Sequence, residues 1–340
     1  MATVLPAYPD AGADDAAPRR LSTLHAPVDQ IFRSTARGSG TFVLVIMALV
    51  GAFLTMNAAK AISSVGVVKF VTTQEWSPET NHFGIAAVLS GTIMIALVAL
   101  VVAVPLSLGA SLFITEVATG LARTLMTSAI DLMAAVPSVV YGLWGLSFLQ
   151  LKLVPFAEWL STYFGWIPIF KVTGADPSNP LPDPSLYTSS TFIAGLIVAM
   201  MIIPIQTSMM RESFSRAPQG EREGAYALGA TKWGVIRKVV LPFGKGGIIG
   251  GIMLGLGRAL GETIAIYLVI SPLYHINFHI LQNGSDSVAA MIALRYSEAN
   301  DFSMSALMAA GLALFLLTML INFSASTIIA RSRSGAESEV

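Results

Sequence analysis

Apolar runs alternate with polar connections along this chain, at residues 41–59, 84–113, 125–149, 190–210, 246–271 and 305–330. Each approaches or exceeds the length of about 20 residues that a helix needs to cross hydrocarbon. The pattern predicts an all-α membrane protein with six transmembrane helices over 41–330. A polar, irregular tail over 1–40, disordered in composition, precedes them, and a short tail over 331–340 follows. Ala59-Lys60-Ala61 after the first run resembles a signal-peptidase site. The preceding tail is too long and too acidic for an ordinary signal n-region, so the first run reads as an uncleaved span.

Composition agrees: 54% of the 340 residues are hydrophobic and 12% are charged, about half the charge usual in soluble domains. The net charge of zero says little, because the placement of Lys and Arg sets orientation. With the N-terminus inside, fourteen Lys and Arg residues fall on the inner side. Five fall outside (Lys60, Lys69, Lys152, Lys171 and Arg295), and Arg258 lies within a span. Both termini are therefore expected in the cytoplasm of a multi-pass chain in the bacterial plasma (inner) membrane. There is no cysteine, which removes disulfides and Cys-metal sites. GxxxxGK[ST], HExxH and GxSxG are missing, so the chain carries no ATP phosphate cradle and neither common hydrolase signature. His275 and His279 stand four apart without a third ligand, which is too little for a metal site. Nothing points to a nucleic acid; the surroundings implied are a lipid bilayer.

Two connections carry more pattern than a spacer needs. The outer segment 150–189 contains FAEWLSTYFGWIPIF, whose Trp159, Tyr163 and Trp166 suit the headgroup level. The inner loop 211–245 holds Pro218, the helix-forming EREGAYAL, Gly229, Thr231 and Pro242. These predict a helix starting at Pro218, a left-handed stop at Gly229, a second helix capped by Thr231, and its end at Pro242. Ala225, Leu228, Trp233, Ile236 and Val240 can share one apolar face.

Within that loop Glu223-Gly224-Ala225, three residues, Gly229, nine residues, Val239, one residue and Leu241-Pro242 resemble the EAA loop of ABC-importer permeases. Gly224 stands where that pattern has alanine and Val239 where it has isoleucine. LMAAVPSVVYGLWG (132–145) and LGLGRALGET (254–263) further resemble the PstC-type permease subunits of bacterial phosphate ABC importers. The resemblance covers roughly residues 40–330. It implies a type I ABC-importer permease fold with cytoplasmic EAA coupling helices, a transporter subunit and not an enzyme. It implies that Glu223, Gly224, Ala225, Gly229, Leu241 and Pro242 couple to an ATPase. The implied partners are a PstA-like second permease subunit, two PstB-like ATPase subunits that bind ATP and Mg²⁺, and an extracytoplasmic PstS-like phosphate-binding protein. This chain itself would hold no cofactor.

Arg258 and Glu262 are the remaining puzzle. A lone charge at a span's centre costs about 2.5–3.5 kcal/mol, yet two lie four residues apart in a glycine-rich run. That spacing puts them on one helix face, where they can pair. Gly247, Gly251 and Gly255 continue the same stripe, which lets another helix backbone approach closely. Arg suits an oxyanion through its planar fork. Glu262 is expected either to accept the P–OH proton of hydrogen phosphate or to restrain Arg258. Asp131, near the inner start of the third span, joins them as a translocation candidate through the resemblance. A permease for another oxyanion (molybdate or sulfate), or a secondary transporter, is the competing reading; the latter calls for internal repeats, and none stand out.

Overall fold

The computed structural model describes residues 27–175 and 183–333. Most of the tail 1–40 and of 331–340, and part of the proline-rich outer segment, lie outside the described residues. The helices in chain order are α1 (Pro27–Val65), α2 (Val67–Thr72), α3 (Ala86–Leu112), α4 (Gly120–Ala135), α5 (Ser138–Trp144), α6 (Gln150–Phe164) and α7 (Thr191–Ser215). They continue with α8 (Gln219–Ala227), α9 (Lys232–Val235), α10 (Leu241–Leu260), α11 (Ile264–Val269), α12 (Val288–Arg295) and α13 (Asp301–Arg333). One antiparallel ribbon of β1 (Trp76–Ser77) and β2 (His82–Phe83) closes the turn after α2.

Among the described residues, six helical stretches are long and apolar enough to cross a membrane: Gln30–Val65, Ala86–Val117, Ser138–Phe164, Thr191–Ser215, Lys232–Leu260 and Asp301–Ser324. The structure differs from the sequence expectation in three places. Residues 27–40 are helical and continue directly into the first run. The expected span 125–149 is broken at Val136, whose backbone is extended, because the following Pro137 disfavours helical geometry there. The long helix resumes at Ser138 and carries the aromatic FAEWLSTYF stretch as its own last turns, through wide turns at Gly145–Leu149. Pro242 does not end its helix: Ile236–Val240 form a wide π turn, and the Leu241 N–H reaches back to the Ile236 carbonyl. The ladder is therefore already re-registered where Pro242 lacks a donor.

From Gly51 onward the core forms around α7, the most enclosed of these helices. Ala96, Ala99 and Ala103 of α3 meet Ala194, Val198 and Ala199 of α7 in one cluster that also includes Ala259 and Ile266. Small residues let these backbones approach, so dispersion contacts accumulate without bulky side chains between them. The later part of α1 packs through Ala58 and Ala61 among Ala306, Leu307 and Ala310. There the Ser305 hydroxyl donates to the Asn57 carbonyl and accepts from the Ala61 N–H. That puts a side chain from α13 into the α1 ladder. The first half of α1, to Val50, carries exposed Phe42, Leu44 and Leu49.

Candidate functional site in the glycine-lined helix and the inner loop

The glycines of α10 are spaced as a stripe because they lie against α7. A Cβ on Gly244 would enter the Phe214 ring, one on Gly247 would enter Ser213, and one on Gly255 would enter the Gln206 amide. Gly251 is looser, 3.3 Å from the Gln206 carbonyl by the same construction. Close approach therefore drives the composition here.

Arg258 follows on the next turn and is exposed. It lines a groove of about 700 Å³ with Ile205 and Met209 of α7, Met253 and Leu254 of α10, and Asn322 and Ser326 of α13. Among the described residues no carboxylate lies within ion-pair distance of its guanidinium. One fixed cation, an amide and a hydroxyl on an otherwise apolar wall can receive an oxyanion. The groove is open to one side.

Glu262 does not share a helix face with Arg258, contrary to the i, i+4 expectation. The helix stops at Leu260, with Gly261 as its cap. Glu262 sits in the break, buried, and its Oε1 accepts from the Ala265 N–H at 3.2 Å. It thus satisfies one of the first free donors of α11, the role an N-cap side chain plays. Past the break, α11 packs against the first of the two stretches that carry the PstC-type resemblance. A Cβ on Gly142 would sit 2.9 Å from the Ala265 Cα, so α5 meets α11 backbone to backbone. Tyr141 donates its hydroxyl to the Met133 carbonyl at 3.0 Å, a second hydrogen bond on an acceptor that also takes the Val136 N–H where α4 breaks.

Asp131 lies on α4, away from Glu262's break. It accepts from the Ser208 hydroxyl at 3.4 Å and pairs with Arg211 at 3.8 Å, both on α7. Its side chain is 55% exposed, so this pair contributes little to stability. The structure leaves Arg258, Glu262 and Asp131 in three different local settings.

The inner loop follows the sequence closely at its turns. Pro218 precedes α8, Gly229 takes φ 81° after it, and Thr231 Oγ1 accepts from the Gly234 N–H at 3.2 Å. Glu223 is exposed and accepts from Gln219 at 2.9 Å, and nothing lies within 4 Å of a Cβ built on Gly224. The expected single apolar face is divided. Ile236 and Val240 are buried, whereas Leu228 is 90% exposed and Trp233 62% exposed.

Three features escaped sequence reasoning. Arg222 donates to both Glu116 carboxylate oxygens, at 2.9 and 3.2 Å, and to the Phe214 carbonyl at 2.7 Å. Only the acid in the π turn after α3, Glu116, hinted at this partner. Gln206 is fully buried on α7, and its amide has no partner among the described residues. Asp286, in the outer connection before α12, is 2% exposed, and burial pushes its carboxyl up to about 7. The Ser287 N–H and the charge of Arg295 oppose that rise.

Residues 103–334 match the family described as binding-protein-dependent transport system inner membrane component. This chain belongs to that family. The permease is 38% identical over 298 residues to the phosphate transport system permease protein PstC of Pasteurella multocida, covering 87% of this chain and 90% of that one. It is also 38% identical over 309 residues to the protein of the same name from Xylella fastidiosa (strain Temecula1), covering 90% and 92%. These relatives place the permease among the PstC-type members of the family. A solved structure of similar fold is a bacterial alginate ABC transporter in complex with an alginate pentasaccharide-bound periplasmic protein. It gives a TM-score of 0.59 at 16% identity, over 89% of the permease and 95% of that chain. The permease thus has an ABC-importer permease fold. It is a multi-pass inner-membrane transport component of a binding-protein-dependent system and not an enzyme.

Proposed function

We propose that the permease forms one half of the translocation pathway of an ATP-driven importer of inorganic phosphate. Its PstC-type relatives carry that substrate in their names, and the observation that carries the reading to this chain is Arg258. An exposed guanidinium with no carboxylate partner, on a glycine-lined helix, is costly against lipid. It is reasonable where a PstA-like second permease closes the groove around a hydrated anion. Arg258 then holds phosphate oxygens, with Asn322 and Ser326 as further donors. Glu262 uses Oε1 on α11, and its Oε2 is available to accept from the P–OH of hydrogen phosphate. Asp131 positions the inner end of the path through Ser208 and Arg211. The exposed α8, with Glu223, Gly224, Ala225 and the Gly229 turn, docks on a PstB-like ATPase, and Leu241-Pro242 carry its displacement into α10. ATP and Mg²⁺ bind to two such ATPases, a PstS-like protein delivers phosphate outside, and both termini face the cytoplasm.

The test is reconstitution with co-purifying partners in liposomes. Phosphate-loaded binding protein is expected to stimulate ATP hydrolysis and to drive radiolabelled phosphate inward, with excess sulfate failing to compete. Purification without any ATPase, or uptake equally inhibited by sulfate, would overturn the proposal.

A further inference from the structure

The inner helix α8 is attached to the rest of the molecule in an unusual way. None of its residues is buried. Its one other side-chain hydrogen bond, from Gln219 to Glu223, stays within the helix. Among the described residues, Arg222 is the only α8 side chain hydrogen-bonded to another element. That single side chain reaches two. One guanidinium nitrogen holds both oxygens of Glu116, in the π turn Phe113–Val117 that ends α3. Another holds the Phe214 carbonyl in the last turn of α7. The pair is sheltered, with the Arg222 side chain 22% and the Glu116 side chain 7% exposed. An exposed surface ion pair would be too weak and too mobile to define geometry. This one has a charge-assisted fork and a second hold on a helix-end carbonyl that also accepts the Ala217 N–H.

The two helices joined by this fork are the ones that build the core of the molecule around Ala99, Ala103, Val198 and Ile202. A helix that buries nothing cannot push through packed side chains. Its displacement travels along the chain, through residues 216–218 into α7 and through the Gly229 turn towards α10, or through the Arg222 fork, which also reaches α3. We propose that Arg222 and Glu116 are a positioning pair that transmits movement of α8 into α3 and α7, coupling the inner loop to the closely packed helix pair. The inference rests on the reading of α8 as an ATPase-docking helix, and it adds a side-chain route into α3 beside the covalent ones into α7 and α10.

Arg222→Glu, Glu116→Arg, the double exchange and Arg222→Lys are compared in the complete reconstituted complex. The readouts are retention of the ATPase subunits, stimulated ATP hydrolysis, and phosphate imported per ATP hydrolysed. Both single exchanges are expected to retain the ATPase and to lower import per ATP by about tenfold, within the span usual for couplings between sites. The double exchange is expected to recover most of it. Arg222→Lys keeps a charge for Glu116 but has no fork to reach Phe214 as well. It is expected to assemble fully with an intermediate ratio. Wild-type import per ATP in Arg222→Lys or in either single exchange would overturn the inference, as would no recovery in the double exchange. Loss of the ATPase from the variants, with retention by the wild type, would also overturn it, because the pair would then only shape the loop. A wild-type chain that retains no ATPase would instead sink the underlying reading.

Discussion

Arg258 stands in the structure without the partner its sequence neighbourhood suggested, and that changes what its substitution should do. If Glu262 neutralised it, Arg258→Gln would leave a buried unpaired acid and impair folding. Glu262 instead caps α11, so on the proposed function Arg258→Gln removes the anion contact without unpairing a buried acid. A hydrogen bond to a charged group is worth about 1.5–3 kcal/mol. Phosphate uptake in liposomes should therefore fall at least tenfold while the complex co-purifies at wild-type yield. Gly261 held the clue to this arrangement. A glycine after an apolar helical run is a common stop signal, and here it caps α10. Asp286 gave no such signal, because burial follows from tertiary packing that has no short sequence signature. Burial pushes its carboxyl up to about 7, well above the ordinary carboxylate range. The unfolded chain therefore loses this proton first, and between about pH 4 and pH 7 the folded state binds more protons than the unfolded one. Stability from this group falls as pH rises across that window. Tyr274 and Arg295 are the ionisable neighbours electrostatically coupled to it. In thermal unfolding of the purified permease, Asp286→Asn should gain on the wild type between pH 5 and pH 8. A gain that shrinks as pH rises would contradict the assigned cause.

Among the helices, α10 shows how far spacing alone can be read. The four-residue glycine rhythm predicted a close helix neighbour, and α7 is that neighbour. What spacing left open was which side of the helix faces inward at each turn. Gly247 abuts Ser213, whereas nothing lies within 4 Å of a Cβ on Gly246 one position earlier. Gly247→Ala should therefore force α7 and α10 apart and lower the melting temperature. Gly246→Ala should be neutral or stabilising by up to about 1 kcal/mol, the helical preference for alanine. Equal effects on the purified permease would mean that the stripe is not packed as described. The inner loop was legible for a related reason, since Gly229 and Thr231 act through local backbone rules. Its apolar residues were not, because Leu228 and Trp233 remain uncovered within this chain. Gly224 bears on the same point. Its surroundings are open, so Gly224→Ala, which restores the EAA pattern, should leave folding intact and strengthen α8 slightly.

Across the whole chain, the count of six apolar helices was legible and the third boundary was not. The run 125–149 reads as one apolar span, but it contains Pro137, where one helix ends and another begins. The two boundaries put Lys152 in different places. If 125–149 crosses, Lys152 stands just outside the bilayer. If Ser138–Phe164 crosses, Lys152 lies about 21 Å along a helix rising 1.5 Å per residue, within a hydrocarbon core about 30 Å thick. Its ammonium sits 6.0 Å from the Phe148 ring centroid, a cation–π contact that helps hold a charge at such depth. The chain contains no cysteine, so single cysteines can be placed without removing any. Cells carrying Glu79→Cys or Gly165→Cys should react with a membrane-impermeant maleimide from outside. Lys232→Cys should react only after permeabilisation, if the inner loop faces the cytoplasm as its basic residues imply. Lys152→Cys should stay unlabelled in intact cells. Rapid labelling of Lys152→Cys from outside would return the third crossing to 125–149 and make the aromatic helix α6 an outer surface element.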